Sequence, residues 1–347
     1  MQKNPFITAQ RASLIILALM LLAGPARADE GRVTITEEND SLLSRDDRHY
    51  TQGVRLSYLS GQVEKGGTWN QPFQQLSQWL PIFQNDGPAT RKYDWTVLGQ
   101  SIFTPSNTLL TTPSPSDRPY AGWLYTGVGL LQETALPGHH RLENLELLVG
   151  VVGPASLAAE TQTDWHQFFN GKPARGWSHQ LSNEPGLVLS YERKWRFQQP
   201  LGNGLALDAI PEAGASGGNV FTYGQAGALF RFGKNLAADY GPTHIRPSLS
   251  GTGWFDKSQM EGDWGWYFFT GAQGRAVARN IFLDGNSFAS SPSVNKKPFV
   301  GDFVAGFSVF WSDAAKLDLT FTQRSKEFYG QTGHADHFGG VNVSVRF

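Results

Sequence analysis

Apolar and polar residues alternate with a period of two along most of the chain, which places successive side chains on opposite faces of extended strands. Near the end, Phe303, Ala305, Phe307, Val309 and Trp311 share one face, and Asp302, Gly306 and Ser308 take the other. Leu317, Leu319 and Phe321 then alternate with Asp318, Thr320 and Thr322, and Val341, Val343, Val345 and Phe347 with Asn342, Ser344 and Arg346. Candidate strands begin near residues 32, 51, 94, 123, 142, 186, 204, 221, 244, 265, 299, 315 and 337. The weakest is 244–255, where Pro247 removes a ladder donor and Gly251 and Gly253 weaken the rest. Setting it aside as a loop leaves twelve strands, an even number as a single-chain bacterial barrel requires.

The two faces differ in kind. One carries large aromatic and aliphatic side chains, the other Asp, Asn, Thr, Arg and Gly. A membrane barrel turns its apolar face to lipid and keeps a polar lumen, whereas a secreted soluble sandwich buries the apolar face. The aromatic cluster at Trp264, Trp266, Tyr267, Phe268 and Phe269, and a last strand ending on Phe347, favour the first. The expected fold is therefore all-β: a twelve-stranded antiparallel transmembrane β-barrel of the bacterial outer membrane.

With the N-terminus in the periplasm, external connections fall at 40–50, 104–118, 154–184, 283–298 and 329–336, and 312–316 is a short periplasmic one. Residues 61–93 break the pattern with a long periplasmic connection. Within it Phe73, Leu76, Trp79, Leu80 and Phe83 lie near helical spacing, as an amphipathic segment at the inner interface or a plain packed helix would. A short helix is expected in the external loop 154–183: Pro154 suits its first turn, Ser156 its cap, and Gly171 with Pro173 its stop.

The start of the chain reads as an export signal. Lys3 and Arg11 flank the apolar run Leu14–Ala23, and Ala26 and Ala28 offer small residues for cleavage after Ala28. That divides the chain into a signal peptide, 1–28, and one barrel domain, 29–347. There are no cysteines, so disulfides do not stabilise the exported protein. A net charge of −1 gives a nucleic-acid partner no electrostatic support. The 39 glycines and 23 phenylalanines, against 3 methionines, agree with an all-β chain.

Polar chemistry gathers at the expected outer rim. Asn39, Asp40, Ser41, Asp46, Asp47, Arg48, His49 and Thr51 crowd the first external turn. By alternation Thr51 sides with Arg55 and Ser57, and Asp40 with Thr34 and Thr36, away from the lipid face carried by Val33, Ile35, Val54 and Leu56. Asp117 and Arg118 fall at the outer end of the fourth strand. In the loop helix, Gln162 and His166 are four apart on one face, and Trp165 and Phe169 form a second i,i+4 pair. An imidazole can take a proton from water near neutral pH, although spacing alone favours a surface histidine. Asp40, the Asn39 amide and nearby carbonyls can hold a hard cation such as calcium. No paired-histidine spacing suggests zinc, and the G-x-S-x-G elbow is absent.

In their order, "ENDSLL…DRHYTQGVRLSY", "SIFTPS…DRPYAGWLY", "GVVGPAS…Q…WH…GW…QLSNEPG" and "GGNVFTYG" resemble the outer-membrane lipid A 3′-O-deacylases, the LpxR family. The resemblance implies a twelve-stranded barrel with its site between the wall and a helix from an external loop. It also implies calcium dependence and a mechanism like that of phospholipase A2. Carried onto this chain, it makes His166 the general base, puts Asn39 and Thr51 in the catalytic set, and gives Asp40 and Asn39 to the metal. Gln162 and Arg118 are expected to meet substrate. Two departures stand out. The lysine expected in the external loop after the third strand is missing between Phe103 and Ser116, with Lys172 and Arg118 as available cations. The acidic residue expected after the histidine is missing from "HQFFNGKP". The implied partner is lipopolysaccharide in the outer membrane, and the expected protein is a monomer. An outer-membrane phospholipase or esterase and a non-enzymatic structural or channel barrel are the alternatives.

Overall fold

The protein is described by a computed structural model that covers residues 31–42, 48–168, 171–247, 252–312 and 314–346. The signal segment, Asp46, Asp47, Phe169, Gly251 and Phe347 lie outside the described residues. Twelve strands follow in order: β1 (Arg32–Asn39), β2 (His49–Leu59), β3 (Ala89–Thr104), β4 (Ala121–Leu136), β5 (His139–Val152), β6 (Glu184–Gly202), β7 (Leu205–Gly218), β8 (Phe221–Lys234), β9 (Trp264–Asn280), β10 (Phe299–Trp311), β11 (Ala315–Arg324) and β12 (Asp336–Arg346). Each pairs antiparallel with its sequence neighbours, and β1 also pairs with β12, so the sheet closes and leaves no edge. The described residues of 244–255 form no strand; Phe255 makes an isolated bridge to Asp239.

The alternation resolves into two faces of opposite character. Phe230, Phe268, Phe299, Phe303, Leu319 and Val343 point outward and are exposed. Asp208, Arg231, Arg275, Asp302 and Arg324 point inward and are buried. A soluble sandwich would bury the first set and solvate the second; the reverse arrangement suits a wall in lipid. The inward charges are paired across strands. Arg275 and Arg324 both bond Asp302, at 2.7 and 3.0 Å, and Lys194 bonds Glu212 at 2.5 Å.

The end of the barrel carrying the β1–β2 turn is called the outer end, the opposite one the inner end. Of the inner β8–β9 connection, residues 236–247 and 252–255 enter the lumen. Tyr240, Ile245, Trp254 and Phe255 are all buried there. Tyr240 donates to Glu133, and Arg246 bonds Glu146 at 2.8 Å and Glu192 at 3.0 Å. His244 Nδ1 and the Ile245 N–H reach Glu38, near the outer end of β1, at 3.2 and 3.0 Å. Nothing in the local sequence pattern announces this plug, because its contacts are to strands far away along the chain.

The long β2–β3 connection contains the helix α1 (Gln71–Trp79). It packs on the outside of the wall. Phe73, fully buried, meets Phe83 and the outward-facing Tyr93, with Val128 and Leu130 beneath. Trp69 and Trp79 stay exposed. The segment is thus both packed and amphipathic, with indoles free where an interfacial belt would hold them. It also covers charges on the outer face: Arg141 makes two bonds to Asp86, at 2.6 and 2.8 Å, and Arg193 bonds Glu143.

Candidate active site

The described residues of 153–183, between β5 and β6, lie over the outside of the wall. Pro154–Ser156 form a separate 3-10 turn, and the helix α2 (Ala158–Phe168) starts after Leu157, whose φ of +59° is left-handed. Ser156 does not cap the helix by the expected route; its hydroxyl donates to Gly153 O at 2.6 Å. The Gly171 N–H closes the other end on His166 O at 2.7 Å.

The side of the wall beneath α2 follows from register. Trp123 stacks on Tyr125 inside the barrel, so its neighbour Gly122 faces out. A Cβ at Gly122 would lie 2.2 Å from Ala158 Cβ and from Ser156 Oγ. The helix therefore begins directly over Gly122, and only a glycine lets it come so close. Gln100 donates to Ser156 O at 2.7 Å, and Ile102 packs with Tyr120, Ala158 and Trp177. Gly122 pairs with Ile102, Ile102 with Gln52, and Gln52 with Asn39. One row of outward-facing positions thus runs across four strands, from the start of α2 to Asn39.

This row is polar where a lipid face should be apolar. Asn39 and Gln52 are buried, and one step down β1 the outward Glu37 accepts a hydrogen bond from Gln52 Nε2 at 3.0 Å. A carboxylate at the parity of Val33 and Ile35 is the signal by which Glu37 could have been found in the sequence; Gln52, Gln100 and Trp177 carry no comparable mark. Thr51 joins the same face, contrary to the alternation. A β-bulge between Tyr50 and Gln52 inserts one residue and shifts the parity. Thr51 Oγ1 then lies 2.7 Å from Oγ1 of Thr104, which has the outward parity of Ile102.

On α2, Ala158, Gln162 and His166 form one stripe at i, i+4 and i+8. Ala158 and Gln162 are buried and His166 is half-buried. Trp177 Nε1 donates to Gln162 Oε1 at 2.8 Å, which fixes the roll of the helix. Asp40 follows β1 in a 3-10 turn, where Oδ2 accepts the Arg48 N–H at 2.7 Å. Asn39 Oδ1 accepts from the N–H and hydroxyl of Ser41. The donors of Glu37, Asn39 and Asp40 are oxygens and fit a hard cation rather than zinc. Among the described residues, no three His, Cys, Asp or Glu side chains converge as a metal group. Arg118 stands apart: it is fully enclosed in the barrel mouth, bonds Glu327 at 3.1 Å and lies over the Phe103 ring. The substrate contact expected of it would require that ion pair to open.

Comparison with solved structures gives a TM-score of 0.68 to LpxR from Salmonella typhimurium, at 18% identity, covering 91% of this chain and 100% of that one. The beta domain of the Bordetella autotransporter BrkA aligns with a TM-score of 0.41 at 8% identity, covering 91% and 98%. The translocator domain of the autotransporter NalP from Neisseria meningitidis gives 0.36 at 10%, covering 99% and 96%. No curated protein sequence matches. The sequence model of the family described as outer membrane protein LpxR matches residues 14–347, nearly the whole chain, and the protein belongs to that family.

Proposed function

We propose that the protein is a lipid A deacylase of the outer membrane that hydrolyses the 3′-linked acyloxyacyl ester of lipopolysaccharide, with His166 as general base. The observation that carries this reading is the placement of polar groups on the lipid side of the wall, in a row over whose far end the helix bearing His166 begins. A site there opens to the leaflet rather than to the lumen, where an amphiphile's ester bond lies. The dimensions support it. From Gly122 to Asn39 is three strand spacings, roughly 14 Å. From Ala158 to His166 is eight helical residues, about 12 Å. A helix rising over Gly122 and crossing β3 is long enough to bring His166 to Asn39 and Thr51.

In this mechanism His166 takes a proton from water as the water oxygen attacks the ester carbonyl, then returns it to the departing sugar oxygen. Asn39 and Thr51 orient the water and the ester, and Gln162, held by Trp177, keeps the helix turned so that His166 faces the wall. Calcium held by Asp40 and Asn39 would supply positive charge to the carbonyl oxygen. Mass spectrometry of lipid A from cells expressing the protein tests the reading, through loss of one acyloxyacyl unit. Intact lipid A beside newly formed lysophospholipid would replace it with the phospholipase alternative. The plug, bonded to the wall at Glu38, Glu133, Glu146 and Glu192, argues against an open channel.

Two further results are expected. Chelation should abolish deacylation and calcium restore it, and Asp40→Asn should raise the calcium needed for half activity by about tenfold. A titration of initial rate against free calcium checks this; an unchanged midpoint removes Asp40 from the metal. Gly122→Ala should lift the start of α2 and lower the rate by roughly 10²-fold without unfolding the barrel, since displacement of about 1 Å is felt at that level. Wild-type turnover in that variant would mean that the helix position does not set the rate.

A further inference from the structure

A second group of side chains at the outer end has the geometry of a hydrolytic relay, and the site described above does not use it. His49 Nε2 lies 3.1 Å from the hydroxyl of Ser106, and His49 Nδ1 lies 2.7 Å from Oδ1 of Asp336. The three come from different connections: His49 from the start of β2, Ser106 from the β3–β4 loop, Asp336 from the start of β12. A hydroxyl on one ring nitrogen and a carboxylate on the other is the arrangement that activates a serine. The carboxylate is itself held, with Gln331 Nε2 donating to Asp336 Oδ2 at 2.9 Å. His49 is fully buried with the Phe328 ring edge-on to it, whereas Ser106 is partly open to solvent. The His49 backbone has φ +63°, a conformation that a non-glycine residue keeps only when its surroundings enforce it. Asp117 anchors the nucleophile's loop: Oδ2 accepts the Ser106 N–H and Oδ1 the Arg118 N–H, both at 2.8 Å. Its Oδ1 also lies 3.8 Å from His49 Nε2. The same cluster holds two donors, Nε and Nη2 of the buried Arg118, that find no acceptor among the described residues.

The geometry points to Ser106, His49 and Asp336 as a second acyl-transfer centre, acting on carboxylic esters presented at the outer rim. Ser106 Oγ attacks the ester carbonyl as its proton passes to His49 Nε2. The C–O bond breaks, and the alcohol leaves with that proton, giving an acyl-serine. Water then attacks the acyl carbon, gives a proton to Nε2, and the carboxylic acid leaves as Ser106 recovers its hydrogen. Asp336 holds the Nδ1–H tautomer throughout, and the Arg118 guanidinium is the charge available to the oxyanion.

The test uses the folded full chain in detergent and an alkyl fluorophosphonate, which phosphonylates activated serines and involves no lipid A. Its outcome is therefore separate from that of the deacylase reading. Peptide mass spectrometry should find one adduct, on Ser106, absent in Ser106→Ala. Asp336→Asn should slow labelling by at least about 10²-fold, as expected when the ring is held in the wrong tautomer. Heat-dependent gel mobility verifies that each protein is folded. A folded wild type with no adduct on Ser106 overturns the proposal, and so does a folded Asp336→Asn that labels at the wild-type rate. Either result would leave the cluster as a latch between three loops. Should Asp336→Asn fail to fold, the wild-type labelling site still decides.

Discussion

Replacing His166 with alanine is expected to lower lipid A deacylation by about 10²–10⁴-fold while the barrel still forms, the range over which a general base contributes. The residue is half-buried near the C-terminal end of α2, on the stripe that begins with Ala158 over Gly122. It carries none of the strand pairing that closes the barrel, so its loss should leave folding intact. The measurement is the initial rate of acyl loss from lipid A in detergent, for wild type, His166→Ala and Thr51→Ala, each checked for heat-dependent gel mobility. Thr51→Ala should be less affected than His166→Ala, because its hydroxyl orients rather than takes the proton. A folded His166→Ala that works at the wild-type rate would remove this histidine from the mechanism.

The second large effect is on stability. Arg231→Met is expected to destabilise the barrel by about 3–5 kcal/mol, the usual cost of leaving a buried charge without its partner. Arg231 is fully buried on β8. Its Nε and Nη2 bond Asp208 at 3.0 and 2.5 Å, and its Nη1 bonds Asp239, at the base of the plug. Asp239 keeps Lys316 at 2.5 Å, but Asp208 is left in the wall with no cation. Replacing both members, as Arg231→Met with Asp208→Leu, should recover most of the loss, since a buried pair exchanged for apolar groups is often neutral. Urea unfolding in detergent, followed by tryptophan fluorescence, reads both proteins. Equal stability of Arg231→Met and wild type would mean that the plug's ion pairs are not what holds it.

The strands were legible because their cause is local. Side chains on a strand alternate whatever the rest of the chain does, so Phe303, Phe307 and Trp311 reveal a lipid face by themselves, and Asp302 and Ser308 a lumen. Helix α2 was legible for the same reason, down to the stripe shared by Gln162 and His166. The polar crowd around Asn39 marked the rim, and the motifs marked the family. What alternation could not supply was anything that depends on distant neighbours. The side taken by Thr51 was decided by a bulge, which exists only because β2 must match the register of β3. Arg118 became an enclosed ion pair because closure of the barrel brings Glu327, 209 residues away, against it. The plug reads as a weak strand or loop, yet its His244 meets Glu38 across 206 residues. A periodic pattern tells which face a side chain takes within its own segment. Which surface that face then meets, lipid, lumen, plug or roofing helix, was set only when the sheet closed and distant segments competed for the same space.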